Sequence, residues 1–343
     1  MASRSTVVRS GLAALTVPLL IALAACSGGS STGGSTTGAA GGEKKVIGVA
    51  LADQKSLFYV AEAAGIKDEA AKQGYTIKLV SANNDANQQV KQVEDLLTQQ
   101  IGALIFTSQD STAAAAGTRA ANKANVPVIA VDQRPESGQG TLATYIATDS
   151  VKAAYELCTW MFKQNGGSGE LAVLHGVLGS TAELQRTEGC KKALAENPNV
   201  KVVAEATANW DETQAYKATQ SILTANPNLK MVFGESDAMS IGAAKAAKDS
   251  GRTIFSVGID GFPTQFDDVA SGLTQATMAQ QPYMMGQMAV RDAIAFMNGT
   301  GTNIPDVKSI QPIQYQDTVL INKETVAKHK VEEFYGPDAQ SFK

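Results

Sequence analysis

Histidine and cysteine are scarce in this 343-residue chain, which has two of the first and three of the second. That leaves little material for a Cys/His metal site, so neither a metal nor a cofactor is expected. Basic clusters are missing too: 29 Lys and Arg stand against 33 Asp and Glu, for a formal charge of −4. Nucleic-acid binders group their Lys and Arg on one face, so nucleic acid is excluded as a partner. The apolar fraction, by contrast, is 44%. This suffices for a sizeable core and excludes wholesale disorder. At ~100–200 residues per domain, the length suits two domains.

The first 43 residues differ from the rest. Arg4 and Arg9 precede an apolar run from Gly11 to Ala25, broken only by Thr16 and Pro18. A basic start followed by a run too short for a comfortable ~20-residue span reads as an export signal over residues 1–25. Its end, Leu23-Ala24-Ala25-Cys26, resembles the lipobox of bacterial lipoprotein signal peptides. That resemblance implies cleavage before Cys26 and a diacylglyceryl group on its thiol. Every residue from Ser27 to Gly42 is Gly, Ser, Thr or Ala. Such a stretch cannot offset its ordering entropy by burial, so residues 26–43 read as a lipidated cysteine and flexible tether. The expected location is extracytoplasmic, lipid-anchored to the outer face of the cytoplasmic membrane.

From Val46 the pattern becomes regular. Val46–Leu51 is a continuous apolar run of strand length, as a strand buried on both faces requires. Helical spacing follows and stops near Gly74. Strands at 76–80, 103–106 and 128–131 then alternate with helices. The same tour repeats with strands at 171–174, 202–206, 231–233 and 254–257. Strands alternating with helices predict parallel βαβ units, hence two similar doubly wound α/β domains. A strand near 273–278, a helix near 283–297 and a strand near 318–321 must be shared between them and form a multi-strand hinge. The expected division is 44–148 plus 281–309 for the first domain, and 149–280 plus 310–343 for the second.

Ligands of open parallel sheets bind beyond the carboxyl ends of the strands. The residues that follow those ends are Ser56, Phe58 and Tyr59, Asp132 and Gln133, Arg186, Trp210, Ser236, Asp260 and Gln280. Aromatic faces cover the C–H patches of a sugar ring. Ionised Asp accepts from hydroxyls, while Arg donates in a fixed fork. These types in one cleft point to a small polyhydroxylated ligand. Asp53, Asp149 and Asp237 each precede a predicted helix and read as caps. His175 has no second His or Cys near it in sequence.

In order and spacing, several segments resemble the ribose/galactose-type sugar-binding proteins of bacterial ABC importers, with a type I periplasmic binding fold. They include Ser56-Leu57-Phe58-Tyr59, Gly176-Val177-Leu178-Gly179 with Arg186-Thr187-Glu188-Gly189, Val257-Gly258-Ile259-Asp260-Gly261 and Ala276-Thr277-Met278-Ala279-Gln280-Gln281-Pro282. The resemblance implies a non-enzymatic, monomeric binding lipoprotein that captures a monosaccharide or sugar alcohol by hinge closure. It would then deliver the ligand to permease and ATPase subunits. It also implies that all ten residues named above touch the ligand. Three positions depart from the pattern: Gln133 stands where an arginine is usual, Ser236 where asparagine is common, and Ile259 where an aromatic is common. An amino-acid or furanone ligand, or a ligand-presenting sensor subunit, is the alternative. Cys158 and Cys190 fall on two predicted helices, and the sequence leaves their pairing open.

Overall fold

A computed structural model describes residues 45–342. The export signal, Cys26 and the tether lie outside the described residues. The chain runs through β1 (Val46–Leu51), α1 (Leu57–Gln73), β2 (Thr76–Ser81), α2 (Ala86–Thr98), β3 (Ala103–Phe106), α3 (Ser111–Lys123), β4 (Val128–Val131) and β5 (Thr144–Thr148). The second tour comprises α4 (Ser150–Gln164), β6 (Gly169–His175), α5 (Thr181–Glu196), β7 (Val200–Thr207), α6 (Glu212–Ala225), β8 (Leu229–Gly234), α7 (Asp237–Asp249), β9 (Phe255–Asp260), α8 (Pro263–Ser271) and β10 (Ala276–Ala279). The returning segments are α9 (Pro282–Met297), β11 (Ile313–Gln316), β12 (Val319–Asn322) and α10 (Glu332–Tyr335). No helix among the described residues is long and apolar enough to cross a membrane.

Two six-stranded sheets result, ordered β11-β5-β4-β3-β1-β2 and β12-β10-β9-β8-β6-β7. All pairings are parallel except β10 with β12. Central strands such as β3 and β4 are buried at every residue, which is why they read as unbroken apolar runs. Helix starts follow local chemistry. Asp85, Asp110, Asp149 and Asp211 each accept a backbone N–H at the start of α2, α3, α4 and α6. Gly74 and Gly272 end α1 and α8 in the left-handed conformation.

The structure departs from the sequence reading at the shared strands. β5 and β11 were not expected, and β11 lies in the first sheet, paired with β5, although residues 310–343 were expected in the second domain. Its burial alternates between exposed and intermediate, so it has no apolar run to reveal it. β12 does join the second sheet. The chain therefore passes between the sheets three times, after β5, β10 and β11, and this forms the hinge.

The helices α1 and α9 cross at Gly65 and Gly286, and both glycines are forced by contact. A Cβ on Gly65 would meet the Tyr283 carbonyl oxygen, and one on Gly286 the Glu62 carbonyl oxygen. Gly286→Val is expected to lower stability by about 1–3 kcal/mol, because two backbones must separate to admit it. Urea unfolding measures this, and an unchanged midpoint would show that the crossing tolerates side chains. On the second sheet, α4 and α5 pack closely at Gly189, whose Cβ would strike the Val151 carbonyl. Cys158 and Cys190 join the same two helices by a disulfide, with sulfurs 2.08 Å apart.

Candidate functional site

The loops at the carboxyl ends of both sheets enclose a cavity of about 740 Å³, within the size range of small-ligand sites. All ten residues expected from the sequence line it: Ser56, Phe58, Tyr59, Asp132, Gln133, Arg186, Trp210, Ser236, Asp260 and Gln280. Asp53, Asn84, Gln109, Asn209 and Phe262 line it as well. The loops after β2 and β3 supply Asn84 and Gln109, so applying the strand-end rule to those two strands would have found them.

Four of the lining residues hold left-handed backbone: Asn84 (φ 65°), Asp132 (φ 53°), Asn209 (φ 52°) and Trp210 (φ 62°). For a bulky residue such as Trp this is an outlier costing roughly 1–3 kcal/mol, and strain of this kind clusters at binding sites. Gly176 makes it possible, since a Cβ there would run into the Trp210 ring. On the first lobe, Phe58 and Tyr59 are both buried, with ring centroids 5.5 Å apart in an edge-on arrangement. The two walls of the cavity are thus aromatic.

Between the walls lies a charged centre. The Arg186 guanidinium stacks 5.4 Å from the Trp210 ring, donates to the Glu235 carbonyl and reaches Asp260 Oδ1 at 3.4 Å. Gln280 donates to the same oxygen at 2.7 Å, and the Tyr335 hydroxyl donates to the Asp260 carbonyl at 3.1 Å. Burial drives the Asp260 carboxyl well above its usual range, and Asp237 and Asp132 add to the shift while Arg186 opposes it. Burial also pushes Asp132 up to about 6, against the pull of Arg186. Gln133 donates to the Tyr59 hydroxyl at 2.6 Å. Arg134 does not line the cavity; its guanidinium lies 5.1 Å from the Tyr145 ring.

Two of the expected caps play other roles. Asp53 lies ahead of α1, whose N-cap is Ser56; its carboxylate accepts from Lys55 N at 2.8 Å and from Asn84 Nδ2 at 2.7 Å, tying two cavity loops together. Asp237 is the first residue of α7, and Ser236 is the cap, accepting from Met239 N at 3.4 Å. Asp237 instead accepts from Gly261 N at 2.6 Å and Phe262 N at 2.8 Å, and so shapes the loop that carries Asp260. Asp149 is a cap as expected.

Behind Arg186, His175 bridges Glu235 and Glu205, with Nδ1 and Nε2 each 3.2 Å from a carboxylate oxygen. Gly176 N donates to Glu235 at 2.9 Å, which braces the strand end beneath Trp210. His175, Glu183 and Glu235 bring donor atoms within 4.8 Å of one another. Nδ1 also lies 3.2 Å from the Thr187 hydroxyl, and these groups form one hydrogen-bond network. The hydrogen bond to Glu235, with Glu205 adding, raises the His175 pKa against the effect of burial. A raised histidine stabilises fully below its unfolded value of about 6.5, and that stability is lost as pH rises through the folded value. The Tm deficit of His175→Gln is therefore expected to be largest in mild acid and to shrink in alkali; a pH-independent deficit would show a neutral imidazole.

The lobes also touch beside the cavity. The Thr181 hydroxyl, on α5, lies 3.2 Å from the Ser111 hydroxyl, on α3, and accepts from Arg134 N at 3.3 Å. The described state is thus one with the lobes together.

Comparison with known proteins matches residues 47–301 to a family model described as periplasmic binding protein domain. A ribose import binding protein of Bacillus subtilis is 30% identical over 285 residues, which cover 83% of this chain and 92% of that protein. A xylitol-binding protein of Mycolicibacterium smegmatis is 32% identical, over 74% of this chain and 72% of its own. Among solved structures, a periplasmic solute-binding protein of an ABC transporter from Actinobacillus succinogenes, with bound D-allose, superposes with a TM-score of 0.77 at 28% identity. The match covers 83% of this chain and all of that one.

Proposed function

We propose, from the premise that this chain belongs to the periplasmic binding protein family, that its cleft captures a monosaccharide or sugar alcohol and closes over it for delivery to an ABC importer. The chain is a binding protein and not an enzyme, and it works outside the cytoplasm. The observation that carries the ligand class is the centre of the cleft. One buried arginine stands with two buried aspartates between aromatic walls, a set of donors, acceptors and flat apolar faces matched to a polyhydroxylated ring or chain.

In this reading Phe58 and Tyr59 cover one side of the ligand and Trp210 another. Asp132 and Asp260 accept from hydroxyls, and Arg186 donates. Gln280 orients Asp260 on the hinge side. Ser56, Gln133 and Ser236 complete the polar wall. Hydrogen bonds to charged groups contribute roughly 1.5–3 kcal/mol each, so a few of them plus stacking reach the ~8 kcal/mol of a micromolar site. Thr181, Ser111 and Arg134 hold the lobes together once the ligand is enclosed. The mature chain acts as a monomer, anchored through a lipid on Cys26.

A thermal-shift screen of aldoses, ketoses and alditols tests this proposal. At least one strong stabiliser is expected, since a ligand at 100 times its Kd adds ~2.7 kcal/mol. Stabilisation by amino acids alone would overturn the ligand class.

A further inference from the structure

The charges in the cleft do not balance. Five carboxylates line it against two cations, Lys55 and Arg186. Only one of the five, Glu212, has a lysine partner, Lys245 at 2.6 Å. At depth the imbalance is sharper: Asp132 is 8% exposed, Asp53 6%, Asp260 5% and Arg186 3%, so a single buried cation faces three buried carboxyls, of which Asp53 is held by Lys55 N and Asn84. Arg186 is committed to Asp260 and to the Glu235 carbonyl.

Asp132 is left without a partner. Among the described residues no cation lies within ion-pair distance of its carboxylate and no hydrogen bond reaches it. The neighbouring cation, Arg134, is held over the Tyr145 ring and does not line the cleft. Gln133, next in the chain, spends its amide N–H on the Tyr59 hydroxyl and leaves Oε1 buried and unpaired. The side of the cleft around Asp132 therefore offers a carboxylate that Arg186, paired with Asp260, reaches only through space and not by contact. A buried unpaired carboxylate costs several kcal/mol unless it is neutralised or given a cation. A sugar hydroxyl supplies one O–H donor and no charge, whereas an ammonium supplies three N–H donors and a positive charge.

Resting on the reading of the cleft as a sugar or polyol site, we infer that its preferred ligand is an amino-substituted sugar or polyol whose ammonium is received by the Asp132 carboxylate. The remaining hydroxyls engage Arg186, Asp260 and Gln280. The negative lining also raises the local concentration of such a cation and speeds its capture at low ionic strength.

Calorimetric titration of matched pairs tests the inference. The pairs are D-glucosamine with D-glucose, D-galactosamine with D-galactose, D-mannosamine with D-mannose, and 1-amino-1-deoxysorbitol with sorbitol, with N-acetylglucosamine as the neutral amide control. In at least one pair the amino member is expected to bind about tenfold tighter or more. Asp132→Asn, which keeps shape and tolerates the left-handed backbone at this position, is expected to shrink that ratio to within about threefold. Equal or tighter binding of the neutral member in every pair that binds would overturn the inference, as would a preference that survives Asp132→Asn. No binding to any pair, with neutral hits in the thermal screen, would overturn the inference alone. No binding to any sugar or polyol in either experiment would overturn the underlying reading as well.

Discussion

Arg186→Ala is expected to raise the Kd for the best stabiliser from the thermal screen by at least about a hundredfold, with the fold retained. Truncating one partner of a buried, hydrogen-bonded charge group costs roughly 2–5 kcal/mol in binding, and here the loss falls on three contacts at once. Among the described residues Arg186 is the only buried cation on the cleft wall, and it is the partner of Asp260 and the surface against which Trp210 stacks. The fold should survive because the stranded carboxyls can protonate instead of staying charged. That escape leaves a signature. Arg186 lowers the pKa of Asp132, Asp237 and Asp260, so its removal lets all three rise further. An aspartate with a folded pKa above its unfolded value of about 3.9 binds more protons when folded, and stability then falls as pH rises. The Tm deficit of the variant should therefore widen from mild acid through neutrality. Calorimetry and thermal unfolding across pH measure the two effects, and normal binding would remove Arg186 from the site.

Replacing both Cys158 and Cys190 by alanine is expected to cost about 3–4 kcal/mol in urea unfolding, the chain-entropy value for a loop of this size. The cysteines are 32 positions apart in sequence, and the closed loop holds the second half of α4, β6 and most of α5. Alanine at both positions avoids an unpaired thiol and removes little volume, so the change reports the cross-link and not a cavity. The bridge matters for function by position: Cys190 stands one turn beyond Arg186 on α5, so it fixes the helix that aims the guanidinium. Ligand affinity should weaken much less than stability, because Gly189 keeps the two helices in close contact without the bond. Equal stability of parent and variant would mean the link is not formed in solution.

Much of the site was legible because a parallel sheet turns sequence order into position. Each βα loop must open at the same edge, so Asp132, Arg186, Trp210 and Asp260 could be placed together without knowing any contact between them. Asp53 and Asp237 show the limit of that reasoning. An aspartate just before a helix looks like a cap, yet whether its carboxylate turns to its own helix or to another loop depends on what folds beside it. Asn84 faces Asp53 across 31 residues, and Gly261 faces Asp237 across 24. Arg134 is similar: in sequence it is one place from Gln133, which lines the cavity, and in space the Tyr145 ring of a strand that the sequence did not reveal draws it away.

The sequence by itself determined the alternation of strand and helix, the duplication into two tours and the edge where polar groups gather, because these depend on periodicity and on caps within a few residues. Only the tertiary structure decided the strand exchange through β11, the pairing of Cys158 with Cys190, and the isolation of Asp132. The reason is physical. β11 is a half-exposed edge strand stabilised by its partner, a disulfide needs two helices to pack within 5.5 Å between Cα atoms, and a carboxylate is unpaired only with respect to everything that surrounds it in space.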